Sequence, residues 1–118
     1  MVEILKSQPF DMPVEYTGRH GVEAYAAVEN GVPICVAIFS VESTTTELLD
    51  IKLYGKPEDA IYYDAILRAI AFYSKEHGVL TVSCKNREAF NVLEPFGFKG
   101  SDLKIEQTCD ELLKKNCG

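Results

Sequence analysis

The sequence predicts an α+β protein, a mixed β-sheet crossed by one long helix, and three observations predict it. Two apolar runs meet at Asn30-Gly31, a dipeptide that supplies the two positive-φ positions of a tight hairpin turn. A helical block over 57–77 opens on Pro57 and closes before Gly78. A short apolar run over 79–84 follows at once, and a strand, helix and strand in succession form a right-handed parallel crossover. A chain of 118 residues has length for one core of this kind, so a single domain over 1–118 is expected.

In chain order, residues 2–5 read as an edge strand. Over 22–29, Val22, Ala24, Ala26 and Val28 alternate with Glu23, Tyr25, Ala27 and Glu29, a pattern of one buried and one partly wet face. Over 32–40 nearly every side chain is apolar, so both faces of that strand are expected under cover, with helices or a loop on each side of the sheet. A third antiparallel strand, 45–54, follows the polar connection 41–44. In the long helix, Glu58 and Asp59 suit the positive end of the dipole, Asp64 and Arg68 are spaced for an ion pair, and Gly78 suits a left-handed cap. A second helix is expected over 87–95 and a last strand over 102–107. Thr108 and Glu111 then form a capping box for a tail helix that ends near Lys115.

Twelve basic side chains against eighteen acidic ones give a net charge of −6, which argues against nucleic acid or an anionic membrane as partner and favours a basic one. No apolar stretch approaches the roughly 18 residues of a membrane span, and residues 1–10 lack the basic start and apolar run of a signal peptide, so a cytoplasmic protein is expected. Cys35, Cys84, Cys109 and Cys117 share no CxxC spacing and read as reduced structural thiols, with a bridge or metal pair between Cys109 and Cys117 as the other reading. His20 and His77 each precede a turn glycine, and neither completes a zinc site, so no metal is expected. Tyr62, Tyr63, Phe72 and Tyr73 read as core and rim, because no basic residues interleave with them to make a base-stacking platform.

Asn86, Ala89, Gly97 and Phe98 stand at the spacing N-x-x-A…G-F. With the order of meander, crossover helix, parallel strand and short helix, this resembles the GNAT N-acyltransferase superfamily over about 24–99. The run Leu53-Tyr54-Gly55-Lys56-Pro57-Glu58 aligns on the segment where that family leaves its fourth strand for a phosphate-binding loop. The resemblance implies a GNAT-like fold with acyl-CoA lying in a splay between the fourth and fifth strands. Leu53 and Tyr54 would pair the pantetheine, the amides of Asp59, Ala60, Ile61, Tyr62 and Tyr63 would cradle the pyrophosphate, and Asn86 would stand beside them. Acetyl-CoA or CoA is then the implied cofactor, though not a required one, and a small amine or a protein is the acceptor. A helix start offers unpaired N–H donors to phosphates, and glycines allow close approach.

Here the family's Q/R-x-x-G-x-G/A loop reads Glu58-Asp59-Ala60-Ile61-Tyr62-Tyr63, with a carboxylate for the arginine and Ile61 and Tyr63 for the glycines. A phosphate about 6 Å from a carboxylate meets roughly 3 kcal/mol of repulsion at an effective dielectric of 20. That exceeds the roughly 0.3–1 kcal/mol a helix end offers an anion. The tyrosine that many members place seven residues after the asparagine is Leu93, which donates no proton. Glu47 matches a strand carboxylate that some branches use as general base toward an amine; its other reading is a solvated strand end. Asp50 and Lys52 read as a surface pair. Only 7–21, with Pro9 and Pro13, stands where members carry two helices that wall the acceptor site, and the closing hairpin is expected to lack its partner strand.

The implied function is an acyl-CoA-dependent N-acetyltransferase-like protein of unassigned acceptor, monomer or homodimer. The alternative is a non-catalytic ligand- or protein-binding module on the same scaffold. A metal protein of the vicinal-oxygen-chelate kind, suggested by Phe96-Gly97-Phe98, would need strand-borne His or Glu ligands, which are scarce.

Overall fold

A computed structural model of the chain describes residues 2–6 and 21–114. The readings of 7–20, His20, Cys117 and a helix end at Lys115 lie outside the described residues. Seven strands form one sheet: β1 (Val2–Lys6), β2 (Val22–Glu29), β3 (Val32–Val41), β4 (Thr46–Leu53), β5 (Thr81–Cys84), β6 (Lys99–Gly100) and β7 (Ile105–Thr108), in the order β1-β2-β3-β4-β5-β7-β6. All neighbours are antiparallel except β4 and β5, which the crossover through α1 (Tyr62–Glu76) makes parallel. This is the expected mixed α+β sheet with a long crossover helix.

The hairpin of β2 and β3 turns on Asn30 at φ 52° and Gly31 at φ 78°, the two left-handed positions its dipeptide was expected to fill. Two bulges shape the central strands. In β3, Ile34 is the extra residue between the pairs Ala27↔Cys35 and Val28↔Pro33, so Pro33 sits beside a bulge, where an interior strand tolerates proline. In β4, Leu49 is the extra residue between Phe39↔Leu48 and Ile38↔Asp50.

The helix α1 lays Ile66, Leu67, Ile70 and Ala71 on one face of the sheet against Phe39, Leu48, Val82 and Cys84. Burying a Leu, Ile or Phe side chain is worth about 1.5–3 kcal/mol, so this layer dominates the fold's stability. Val22, Ala24, Ala26, Val36 and Ile38 form a second buried cluster on the opposite face, so β3 is covered on both sides as its composition demands. The partly wet face of β2 is present at Glu23, Tyr25 and Glu29, with Ala27 the exception: it is fully buried, and beside it Tyr25 stacks on Phe39 while Tyr73 of α1 meets both rings edge-on. A buried polar pair under α1 is satisfied internally, with Thr46 Oγ1 and Ser74 Oγ 2.5 Å apart and Ser74 Oγ donating to Ile70 O at 2.8 Å.

Three further expectations are refined. Residues Pro57–Ile61 form a 3₁₀ turn leading into α1, tightened by Asp59 N donating to Lys56 O at 2.9 Å. The second helix is a chain of short pieces, a 3₁₀ turn at Arg87–Ala89, α2 (Phe90–Leu93) and a 3₁₀ turn at Glu94–Phe96 that ends on left-handed Gly97. The closing hairpin keeps its partner strand: β6 pairs Lys99 and Gly100 with Glu106 and Ile105. A side chain at Gly100 would collide with Lys104 O, so glycine permits this close pairing. The tail helix α3 (Cys109–Leu113) is capped as expected, Thr108 Oγ1 accepting from Glu111 N at 3.2 Å.

Candidate functional site

The sheet opens at one place. β4 and β5 pair at Thr46↔Val82, Glu47↔Ser83 and Leu48↔Cys84, and there β5 ends. The Leu49 bulge bends β4 away, and over 50–53 no strand pairs its outer side among the described residues. Asn86 sits at the crotch of this fork. Its Nδ2 donates to Leu49 O at 3.1 Å, and its Oδ1 accepts from Glu88 N at 3.1 Å to cap the turn that follows. The residue that the resemblance placed beside a cofactor is thus engaged in joining the two strands.

Leu53 packs half-buried on the main core and is paired with Cys35. Tyr54 is exposed, and its N–H, like that of Gly55, is turned toward β3, donating to Ile34 O at 2.8 and 3.0 Å. The Ile34 bulge therefore anchors the chain as it leaves β4. The amides of 59–63 open the long helix, and the side chains around them are bulky. Ile61 is 71% exposed, while Tyr62 and Tyr63 lie against the core. Burial raises the Tyr63 phenol above its ordinary pKa, with the neighbouring Cys35 adding to it.

Asp59 folds back over this turn. Its Oδ2 accepts from Lys56 N at 2.9 Å, and a Cβ added at Gly55 would run into the same carboxylate. Glu58 points outward and is exposed. The open edge of β4 fits an extended amide chain such as a pantetheine arm, because a strand edge offers N–H and C=O groups in sequence. At the turn the Asp59 carboxylate takes the amide of Lys56, just ahead of 59–63, and with Glu58 it brings two negative charges to the place where a diphosphate would lie, a poor fit for that group.

Glu47 stands one residue before the fork. It is partly exposed, and its Oε1 lies 3.7 Å from Lys85 Nζ. The two line a cleft of about 340 Å³ with Glu42, Thr45, Ser83 and Lys104. Lys85 escaped sequence reasoning; its signal was its place just after the β5 run, two residues beyond Ser83, the register partner of Glu47. Asp50 and Lys52 form their surface pair at 3.6 Å. Leu93 is fully buried in the main core. Cys35, Cys84 and Cys109 are buried free thiols, and among the described residues no group of three His, Cys, Asp or Glu side chains could hold a metal ion. Among them, too, no helix is long and apolar enough to cross a membrane.

The whole architecture has counterparts among solved structures. The ribosomal-protein-S18-alanine N-acetyltransferase of Escherichia coli superposes with a TM-score of 0.66 at 16% identity, covering 92% of this chain and 94% of that one. The aminoglycoside 6'-N-acetyltransferase of Enterococcus faecium gives 0.64 at 12% identity, covering 81% and 79%. The PaiA N-acetyltransferase of Thermoplasma acidophilum, solved in complex with coenzyme A, gives 0.63 at 19% identity, covering 80% and 65%. No protein-family model and no curated protein matches the chain.

Proposed function

Because the chain has the fold of the GNAT acetyltransferases, we propose that it is an acyl-CoA-dependent N-acyltransferase-like protein that moves an acyl group from a thioester to an amine. One observation carries this reading: β4 and β5 part after Leu48 and Cys84, leaving an open strand edge next to Glu47. The thioester supplies the activated acyl group. The chain's own part is to hold an extended arm along 50–53 and to take the proton that an ammonium must lose before it can attack. Glu47 is the group for that proton, because it is partly exposed beside the fork and the nearby Lys85 holds the carboxylate in place. The cleft sets Glu42 and Glu47 beside Lys85 and Lys104, along with the hydroxyls of Thr45 and Ser83, so it offers an acceptor charges of both signs, while the chain as a whole is negative.

The test is thermal unfolding with acetyl-CoA, where ligand at 100 times its Kd adds about 2.7 kcal/mol of stability. For a domain of this size that is a rise of about 10 °C. Turnover against a panel of amines then follows, and Glu47→Gln should abolish it while sparing the thermal shift. No shift at millimolar acetyl-CoA, together with no turnover, overturns the reading.

A second reading, a binding module without acyl transfer, is favoured by Leu93, which is buried where the resemblance puts a proton donor. It requires a thermal shift with no turnover for any acceptor.

A further inference from the structure

We propose that Asp59 is a built-in anion that takes the place of a donor's diphosphate, so that the donor site grips thioesters by their amide arm alone. Resting on the acyltransferase reading, this names the donor class: S-acylpantetheine serves as well as acyl-CoA.

Three features of the turn carry it. Asp59 Oδ2 accepts from Lys56 N at 2.9 Å, so the first amide of the helix start already has an anionic partner. The carboxylate lies over Gly55, in the space where the missing side chain would otherwise let another group approach the backbone. Asp59 is partly buried, and the Cys35 thiol is pushed up to about 12 chiefly by burial, with the Asp59 charge adding to it. Around it, Glu58 adds a second negative charge at the same turn, and exposed Ile61 and half-buried Tyr63 fill positions from which small residues would withdraw. Lys56 contributes one cation, exposed to solvent and therefore weakly felt. A diphosphate brought to the amides of 59–63 must share the turn with two carboxylates, one of them fixed on Lys56 N. A neutral arm on the edge of β4 meets neither obstacle.

The experiment compares acetyl-CoA, S-acetylpantetheine and 3′-phosphoadenosine diphosphate, the half of coenzyme A that carries the diphosphate, on the native chain and on Asp59→Asn. The native chain should bind the two thioesters with Kd values within about threefold and show no thermal shift with the nucleotide half. Asp59→Asn should tighten acetyl-CoA by about tenfold, equivalent to 1.4 kcal/mol, leave S-acetylpantetheine within about twofold, and gain a shift with the nucleotide half. A native chain that prefers acetyl-CoA by tenfold or more, or that is stabilised by the nucleotide half, overturns the proposal without any variant. An Asp59→Asn protein indifferent to the nucleotide half overturns it too. If neither thioester binds either protein, the acyltransferase reading falls, while the nucleotide half still decides the role of Asp59.

Discussion

Asn86→Ala should destabilise the protein by about 2 kcal/mol, because one side chain makes two unrelated bonds. Its Oδ1 caps the turn after β5 by accepting from Glu88 N at 3.1 Å, and losing such a cap typically costs about 1 kcal/mol. Its Nδ2 donates at 3.1 Å to Leu49 O, where β4 leaves β5, and a net hydrogen bond contributes about another 1 kcal/mol. With about 2.1 cal/mol/K of unfolding entropy per residue, a chain of 118 residues loses about 4 °C of Tm per kcal/mol, so the midpoint should fall by about 8 °C. Asn86→Ser separates the two bonds. Serine caps as well as asparagine but is too short to reach Leu49 O, so its midpoint should fall by about 4 °C. Unfolding by heat and by urea, followed by circular dichroism, measures both variants. A loss below about 0.5 kcal/mol for Asn86→Ala, or equal losses for the two variants, refutes the idea that this side chain joins the strands.

Other outcomes follow from the same geometry. Ser74→Ala leaves the Thr46 hydroxyl buried without its partner at 2.5 Å and should cost about 1–3 kcal/mol. Adding Thr46→Val should recover part of that loss, and strictly additive costs in a double-mutant cycle would show the pair to be uncoupled. Cys35 should resist iodoacetamide at about pH 8 in the folded chain and react promptly in urea, since only the thiolate attacks. Because its thiol is raised from 9.0 to about 12, the folded state keeps the proton longer than the unfolded state. Stability from this group is therefore complete below pH 9 and declines as pH rises toward 12, and a denaturation midpoint that climbs across that window would contradict the burial. Gly97→Ala should cost more than Gly78→Ala. Both positions are left-handed, at φ 87° and 76°, but only at Gly97 does the new methyl meet Gln107 Nε2, which donates to Phe96 O. Equal costs would mean that Gln107 simply swings aside.

The strand order was legible because each turn carries its own chemistry: Asn30-Gly31 for the hairpin, Pro57 and Gly78 for the ends of the crossover helix, Thr108 for the tail cap. The shape of the site was less legible. The bulges at Ile34 and Leu49 arise from register, which depends on partners distant in sequence, and an isoleucine or leucine in an apolar run gives no sign of them. β6 escaped because two residues carry no alternation to detect. Asp59 was read as a charge that complements a helix dipole; that it would turn back onto Lys56 N follows from its place three residues on, the spacing at which a side chain reaches the preceding amide. Glu47 was singled out by the family resemblance, and its neighbour Lys85 entered only when the parallel pairing brought the two strands together.

The fork divides the sheet into unequal halves. β1 to β4 are laced by long antiparallel ladders, whereas β5, β7 and β6 join them, among the described residues, through three parallel positions, Asn86, the Lys85–Glu47 ion pair and the underside of α1. The smaller half is accordingly the one that should breathe, its amides exchanging as a block ahead of those in β2 and β3. A molecule laid along the vacant rim of β4 would act as a suture, so that recognition and cohesion draw on the same few backbone groups. Tightening that rim by mutation would then firm the protein while closing it to its ligand.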